Sequence, residues 1–97
     1  MKVIGIIWSE RAIESLKDIF QFYKSKSLQG AINVRKDILK TIKNIVFADQ
    51  YQVDDINLKY RRIIVRDFKI LYLAKKDRIE IIDIVNVKRS PSFIENL

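Results

Sequence analysis

The chain has 97 residues, which is enough for a single domain spanning residues 1–97 and too few for two separate cores. Hydrophobic residues make up 48% and charged residues 32% of the chain, which argues against an intrinsically disordered protein. There is no cysteine, and this excludes a disulfide framework and thiolate chemistry. The chain lacks a signal-like start, and its first apolar run (VIGIIW) is far shorter than the roughly 20 residues of a membrane span. We therefore expect a cytoplasmic protein with no membrane contact.

The net charge of +7 is unevenly spread along the chain. Residues 1–57 carry nine basic and seven acidic side chains, whereas residues 58–97 carry ten basic and five acidic ones. A localised positive field attracts polyanions, so we expect the C-terminal part to bind nucleic acid or an acidic protein. The alternative is a basic composition that serves only solubility.

The first half of the chain predicts one strand followed by two helices. Residues 2–8 (KVIGIIW) are rich in β-branched side chains, as expected of a strand. Ser9 is the predicted N-cap of a helix in which apolar residues recur at three- and four-residue spacing up to Tyr23. A second amphipathic helix is predicted from Leu28 to Phe47. Because the connector at 24–27 (KSKS) is short and polar, the two helices should form an antiparallel hairpin.

The second half predicts three strands. A loop at 48–57 (ADQYQVDDIN) precedes strand-like runs at Lys59–Val65, Phe68–Ala74 and Ile79–Val87, and Pro91 ends the pairing. The short turns between the runs predict an antiparallel meander. The expected fold class is α+β in two layers, with the helical hairpin on one face of the sheet. No metal-ligand cluster or glycine-rich phosphate loop is present in the sequence, so no cofactor is expected.

The two faces of the predicted meander differ in charge, because side chains alternate across a strand. The opposite face to the helices gathers the cationic and polar side chains of Arg62, Lys69, Asn86 and Lys88. Cations on neighbouring strands repel one another unless an anion joins them, so this face predicts a docking surface for phosphate or carboxylate. The more apolar set, expected beneath the helices, consists of Phe68, Ile70, Tyr72, Ile79, Ile81, Val85 and Val87.

A less specific interpretation of the same cations stays open. Each could extend along the sheet to its rim and pair there with an acid. The candidate acids are Glu80, Asp67 and those of the loop at 49–55.

Three stretches of the chain together resemble the RelE/ParE toxin superfamily, the toxins of type II toxin–antitoxin systems. They are WSERAIESLKDIFQFY (Trp8–Tyr23), YRRIIVRDFKILY (Tyr60–Tyr72) and IIDIVNVKRSP (Ile81–Pro91). The resemblance spans nearly the whole chain. It implies the fold that the element order predicts independently, with an N-terminal strand, a helical hairpin and a three-stranded meander.

The resemblance also implies which residues form the site. RelE-like members cleave messenger RNA in the ribosome, and ParE-like members poison DNA gyrase without nuclease chemistry. Arg62 matches the arginine of the family's first meander strand, Lys69 matches the basic residue of the second, and either Lys88 or Arg89 matches the arginine of the last. These four are the candidate catalytic residues if the chain is a nuclease. The candidate target-binding residues are Arg61, Arg62, Arg66, Lys69, Asn86 and Lys88.

Two departures from the RelE-like pattern favour the ParE-like function. The chain has no histidine, and no tyrosine follows Val87, where Phe93 cannot move a proton. The resemblance then implies a gyrase inhibitor held in a hetero-oligomer with a cognate antitoxin, whose binding segment we expect to be acidic. The alternatives are a ribosome-dependent mRNA endonuclease and a non-toxic RNA-binding module on the same scaffold.

Overall fold

The computed structural model describes residues 2–3, 5–88 and 97 and contains the six predicted elements in the predicted order. Neither of its helices has the length and the apolar character that crossing a membrane requires. The elements are β1 (Gly5–Trp8), α1 (Glu10–Lys24), α2 (Leu28–Lys43), β2 (Arg61–Val65), β3 (Phe68–Ala74) and β4 (Arg78–Asn86).

Both helices begin at a serine N-cap. The Ser9 side chain accepts a hydrogen bond from the Ala12 amide at 3.0 Å, as the sequence predicts for α1. The Ser27 side chain accepts one from the Gly30 amide at 3.0 Å at the start of α2. The Ser9 hydroxyl also donates to the Ile82 carbonyl at 2.7 Å, which ties the start of α1 to the sheet.

The second helix is shorter than predicted. It ends at Lys43, four residues before Phe47. The amides of Asn44 and Ile45 still donate to carbonyls of α2, whereas those of Val46 and Phe47 donate to the side chain of Gln50 at 2.8 and 3.3 Å. This side-chain capping replaces the helical hydrogen bonds, and the apolar period of the sequence does not reveal it.

The sheet has the strand order β1-β4-β3-β2. β2, β3 and β4 form the predicted antiparallel meander. β1 pairs in parallel with β4, from Gly5 opposite Arg78 to Trp8 opposite Ile81, so the complete sheet is mixed. Arg66, in the two-residue turn between β2 and β3, has a left-handed backbone with φ of 54°.

A bulge in β4 changes which side chains face the helices. Leu71 pairs with Asp83 and Tyr72 pairs with Ile81, so Ile82 has no opposite residue on β3. Strict alternation places Val85 beneath the helices, and this prediction is wrong. Beyond the bulge Ile84 joins the core beneath the helices, whereas Val85 packs on the opposite face.

The main core lies between the helical hairpin and one face of the sheet. Its buried members are Ala12, Val34, Ile38, Ile42, Ile45, Ile63, Phe68, Ile70, Tyr72, Ile79, Ile81 and Ile84.

The opposite face of the sheet, for which the sequence predicts a docking surface, is partly covered as well. Tyr60, Leu71 and Val85 are buried there, and Ile56 and Leu97 pack against them. The Tyr60 hydroxyl donates a hydrogen bond to the Leu97 carbonyl at 2.9 Å. This second, smaller core lies over the strands that carry the predicted site residues.

Candidate functional site

Arg62 and Lys69 lie on the same face of the sheet, the one opposite the helices. Arg62 pairs with Leu71 across β2 and β3, and Lys69 is the partner of Ile64, two residues further along β2. This diagonal placement brings the two cations close enough to share a partner. The prediction that adjacent strands bring these residues together therefore agrees with the structure.

The two cations are neutralised by carboxylates of the chain itself. The Lys69 ammonium lies 2.8 Å from Oδ1 of Asp54, and the Arg62 guanidinium lies 2.6 Å from Oδ1 of Asp55 and 3.7 Å from Oδ1 of Asp54. Lys69 is 6% exposed and Asp54 is fully buried. The face therefore presents an internal ion-pair cluster, which we call the sheet cluster (Asp54, Asp55, Arg62 and Lys69).

The loop that supplies these carboxylates is held by backbone hydrogen bonds. The Asp54 amide donates to the Tyr60 carbonyl at 2.8 Å, and the Arg62 amide donates to the Gln52 carbonyl at 3.1 Å. The second carboxylate oxygen of Asp54 accepts hydrogen bonds from the amides of Ile56 and Asn57 at 3.0 and 2.8 Å. Both oxygens of this carboxylate thus bind groups of the fold itself.

The electrostatic balance at Asp54 favours the charged form. Burial alone would raise the pKa of this carboxyl, but the hydrogen bond from Lys69 and those from the Asn57 and Ile56 amides outweigh burial. The pKa of Asp54 is therefore lowered, and the ion pair with Lys69 persists at neutral pH.

The remaining predicted site residues are not gathered with this pair. Arg61 extends from β2 and donates to the Tyr51 carbonyl at 2.7 Å. Arg66 leaves the strand at the turn and binds Asp37 of α2 at 2.8 Å, so the left-handed backbone breaks the alternation that placed it beside Arg62.

Asn86 and Lys88 also lie apart from the sheet cluster. The β4 bulge turns Asn86, which pairs with the core residue Phe68, toward the side of the helices, so its predicted position on the cationic face is wrong. Lys88 is exposed just after β4, and its amide donates to the Asn86 side chain at 2.8 Å. Arg89, the alternative to Lys88, lies outside the described residues.

Sequence reasoning missed Asp54 and Asp55 as members of this site. The interpretation left open in the sequence, that the cations pair with acids of the loop at 49–55, describes Arg62 and Lys69 correctly. The available signal was the pair of adjacent aspartates six to eight residues before the adjacent arginines Arg61 and Arg62. A loop has no periodicity, so spacing alone could not show which strand residues it contacts.

A second buried polar contact lies on the helix side of the sheet. The Ser15 hydroxyl of α1 donates to Oδ1 of Asp83 at 2.5 Å, and the Ile84 amide donates to the same oxygen at 2.7 Å. Asp83 is 2% exposed. This contact joins α1 to β4 beside the bulge.

Comparison with known proteins assigns the chain to a family. The model of the ParE toxin of type II toxin–antitoxin systems (parDE) matches residues 6–91. No curated protein sequence shows a significant match. Among solved structures, a chain from the chromosomal ParDE toxin–antitoxin system of P. aeruginosa superposes with a TM-score of 0.74 at 19% identity, covering 87% of this chain and 96% of that one. The chain belongs to the ParE toxin family.

Proposed function

We propose that this type II toxin inhibits DNA gyrase and that a cognate antitoxin protein neutralises it by forming a hetero-oligomer with it. The family match and the shared fold with a ParDE system support the toxin class and an antitoxin partner. The choice of gyrase as the target rests on the ParE-like resemblance and on the internal pairing of the cations in the sheet cluster.

The internal pairing of Lys69 is the observation that carries the choice of gyrase over messenger RNA. Cleavage of RNA by its own 2′-hydroxyl needs cations around the phosphate and groups that move protons. Lys69 is 6% exposed and bound to Asp54, and the Arg62 guanidinium is bound to the exposed carboxylate of Asp55. A phosphate would have to compete with these carboxylates for both cations, which supports a function that does not depend on nuclease chemistry.

Among the predicted target-binding residues, Lys88 is accessible without movement of that loop. It is exposed and forms no ion pair with another residue that the structure describes. We therefore assign a gyrase-contacting role to Lys88, at the end of β4. Arg66 is also partly exposed, but its guanidinium binds Asp37.

Two assays with the purified chain test the proposal. The first is supercoiling of relaxed plasmid by gyrase, where we expect inhibition that K88A weakens and that the exposed control K76A leaves unchanged. The second is primer extension on messenger RNA in a translating extract, where we expect no new cleavage sites. Cleavage of messenger RNA with normal supercoiling would replace gyrase by the ribosome as the target, and inactivity in both assays together with unhindered bacterial growth would favour a non-toxic module.

A further inference from the structure

Ion pairing changes where the positive charge of this chain is available to a partner. In the part of the chain that the structure describes, every cation that forms an ion pair lies between Arg62 and Arg78. The sequence places the larger positive excess in that half, but these cations are bound to carboxylates of the fold. The cations of α1 and α2 form none of these pairs, so the helical layer carries cations that no carboxylate of the described chain binds.

The outward face of α2, a helix that the structure describes throughout, is cationic and contains no acid. Its exposed residues recur at three- and four-residue spacing and are Gln29, Ile32, Asn33, Lys36, Lys40 and Lys43. The three lysines are therefore about 6 and 4.5 Å apart along the helix axis. The single acid of α2, Asp37, lies on the side toward the sheet and is bound by Arg66 at 2.8 Å.

Two more cations extend this face across the groove between the helices. The three lysines line a depression of about 490 Å³ together with Arg35, which also lines the groove. The Arg35 guanidinium lies over the Phe20 ring, 4.4 Å from its centroid. Lys17 of α1 is exposed on the opposite wall of the groove. None of the described acids lines either depression, and we call the five cations the basic flank (Lys17, Arg35, Lys36, Lys40 and Lys43).

The acids of α1 restrict the direction from which a polyanion can approach. Glu10, Glu14 and Asp18 are exposed and follow one another at four-residue spacing, so they share one side of α1. These three acids line neither the groove nor the depression beside it. Lys17 is next to this acidic side in the sequence, whereas the lysines of the basic flank on α2 are beyond the groove. A polyanion would therefore contact α2 and reach α1 only at Lys17.

Helix stability accounts for only part of the basic flank. Lys40 and Lys43 lie in the last turn of α2, where a cation is favourable to the helix dipole. Arg35 and Lys36 lie in the middle of the helix, where that effect has faded. Like charges three and four residues apart on a helix also repel one another, and an anionic partner would relieve this repulsion.

We propose that the basic flank binds the phosphate backbone of duplex DNA and holds the toxin on the DNA that gyrase is supercoiling. Successive cations along one helix suit the repeating charges of a nucleic acid, and such a contact does not depend on the base sequence. The inference rests on the proposed gyrase target. It moves the predicted nucleic-acid contact from the C-terminal half of the chain to α2.

Two features of the outward face of α2 favour duplex DNA over other anionic partners. Single-stranded nucleic acid binds largely by stacking its bases on aromatic side chains. In α2, all of which the structure describes, this face has no aromatic residue, and Arg35 covers the nearby Phe20 ring. The buried centre of a protein interface is depleted in charge and rich in aromatic groups. Ile32 is the one apolar side chain on this described face, so a contact made mainly by phosphates fits it better.

Fluorescence anisotropy with a labelled 20-base-pair duplex tests the contact between about 50 and 200 mM salt. The flank variant is K36Q/K40Q/K43Q. The control variant, K59Q/K75Q/K76Q, removes three exposed lysines from the segments next to the sheet strands and lowers the net charge by the same amount. Circular dichroism of each variant checks that the helices are intact.

Contacts from five cations predict a slope of about −4.5 when the logarithm of the association constant is plotted against that of the salt concentration, because each neutralised phosphate contributes about −0.9. The flank variant keeps two of these cations, so its slope should be about −1.8, and at the lower salt concentration it should bind at least about tenfold more weakly. The control variant should keep the wild-type slope. Equal slopes in the two variants would overturn the proposal, because net charge alone would then explain the binding.

Two other anions test whether duplex DNA is the partner, and we expect both to bind more weakly than the duplex. A single-stranded DNA of the same length that bound more tightly would indicate recognition by base stacking and would overturn the proposal. Polyglutamate that bound more tightly than the duplex, and that the flank variant no longer bound, would identify an acidic protein as the partner. That result would also overturn the proposal.

The gyrase supercoiling assay separates this inference from the proposed function. We expect the flank variant to need about tenfold more protein for half-inhibition, and the control variant to stay within about threefold of wild type. Inhibition by the wild-type chain without duplex binding would overturn the DNA contact and leave the proposed function intact. Duplex binding with the expected slopes but without inhibition would overturn gyrase as the target. Full inhibition by a flank variant that no longer bound the duplex would show that DNA binding has no part in inhibition and would overturn the inference.

Discussion

The ion pair between Lys69 and Asp54 is the residue-scale feature with the largest expected effect on stability. Both groups are buried, and the ammonium and carboxylate are 2.8 Å apart. Removing one member of such a pair leaves the other as an uncompensated charge within the fold. A neutral substitution of either group therefore probes folding before it probes function, and toxicity of K69A must be measured together with stability.

Lys69→Met should destabilise the protein by about 3–5 kcal/mol, because Asp54 then loses its partner. K75M is the matched control, since Lys75 is exposed and its ammonium lies 3.6 Å from Glu80, and it should cost less than about 1 kcal/mol. Urea unfolding measures both. Adding D54N to K69M should recover part of the lost free energy of unfolding. Equal losses for K69M and K75M would show that the buried ion pair adds no more stability than an exposed one.

The lowered pKa of Asp54 predicts an acid-dependent loss of stability. A carboxyl whose pKa is lower in the folded than in the unfolded chain contributes stability above its unfolded pKa of about 3.9. That contribution disappears as the pH falls through the folded pKa. Urea unfolding between pH 7 and pH 3 should show a smaller slope for D54N than for wild type. D55N, which removes a carboxylate that is 72% exposed, should keep the wild-type slope.

At the scale of elements, the bulge at Ile82 decides how the helical layer meets the sheet. The carbonyl of the residue without an opposite partner accepts a hydrogen bond from the Ser9 hydroxyl, which also caps α1. One serine thus caps the start of α1 and also supplies the hydrogen-bond partner of the Ile82 carbonyl at the bulge. The bulge and the helix start are therefore coupled.

Ser9→Ala should cost about 1–3 kcal/mol, because it removes both the cap and the partner of the Ile82 carbonyl. Ser27→Ala removes only an exposed cap and should cost about 1 kcal/mol or less. Thermal unfolding of the two variants gives the comparison. A loss from S9A no larger than that from S27A would mean that the contact with Ile82 adds nothing.

The elements themselves were largely predictable, because they rest on local patterns. The cap at Ser9, the period of α1 and the limits of β3 follow from neighbouring residues. The parallel pairing of β1 with β4 and the reversal at Val85 depend on contacts between distant segments. The meeting of Arg62 with Lys69 could be predicted because a short turn joins their strands. Their pairing with an acid of the loop at 49–55 was one of the open interpretations, and nothing in the sequence singles out Asp54 among those acids.

At the scale of the whole molecule, one core joins the helices to the sheet. Side chains of α1, α2 and three strands contribute to it, and Trp8 packs against it from the end of β1. Such a shared core favours a single cooperative transition.

Unfolding followed by Trp8 fluorescence should coincide with unfolding followed by far-ultraviolet circular dichroism, which reports mainly on α1 and α2. Trp8 is the single tryptophan of the chain, so its signal belongs to the junction of β1 and α1. Midpoints in urea that agree within error would support one folding unit. A higher urea midpoint by circular dichroism than by Trp8 fluorescence would show that the helices and the junction of β1 with α1 unfold as two separate units.

The pairing of β1 with β4 sets an order of events during protein synthesis. Among the described strands β1 has β4 as its sole neighbour, and residues 5–8 meet residues 78–81. Ribosomes add about 5–20 residues per second, so both helices are made roughly seconds before the strand that completes the sheet. A nascent chain in that interval displays the inward sides of its helices and lacks the assembled surface that a target would recognise. The sheet that carries the proposed target-contacting residue Lys88 at its end is therefore incomplete until translation has passed the last strand.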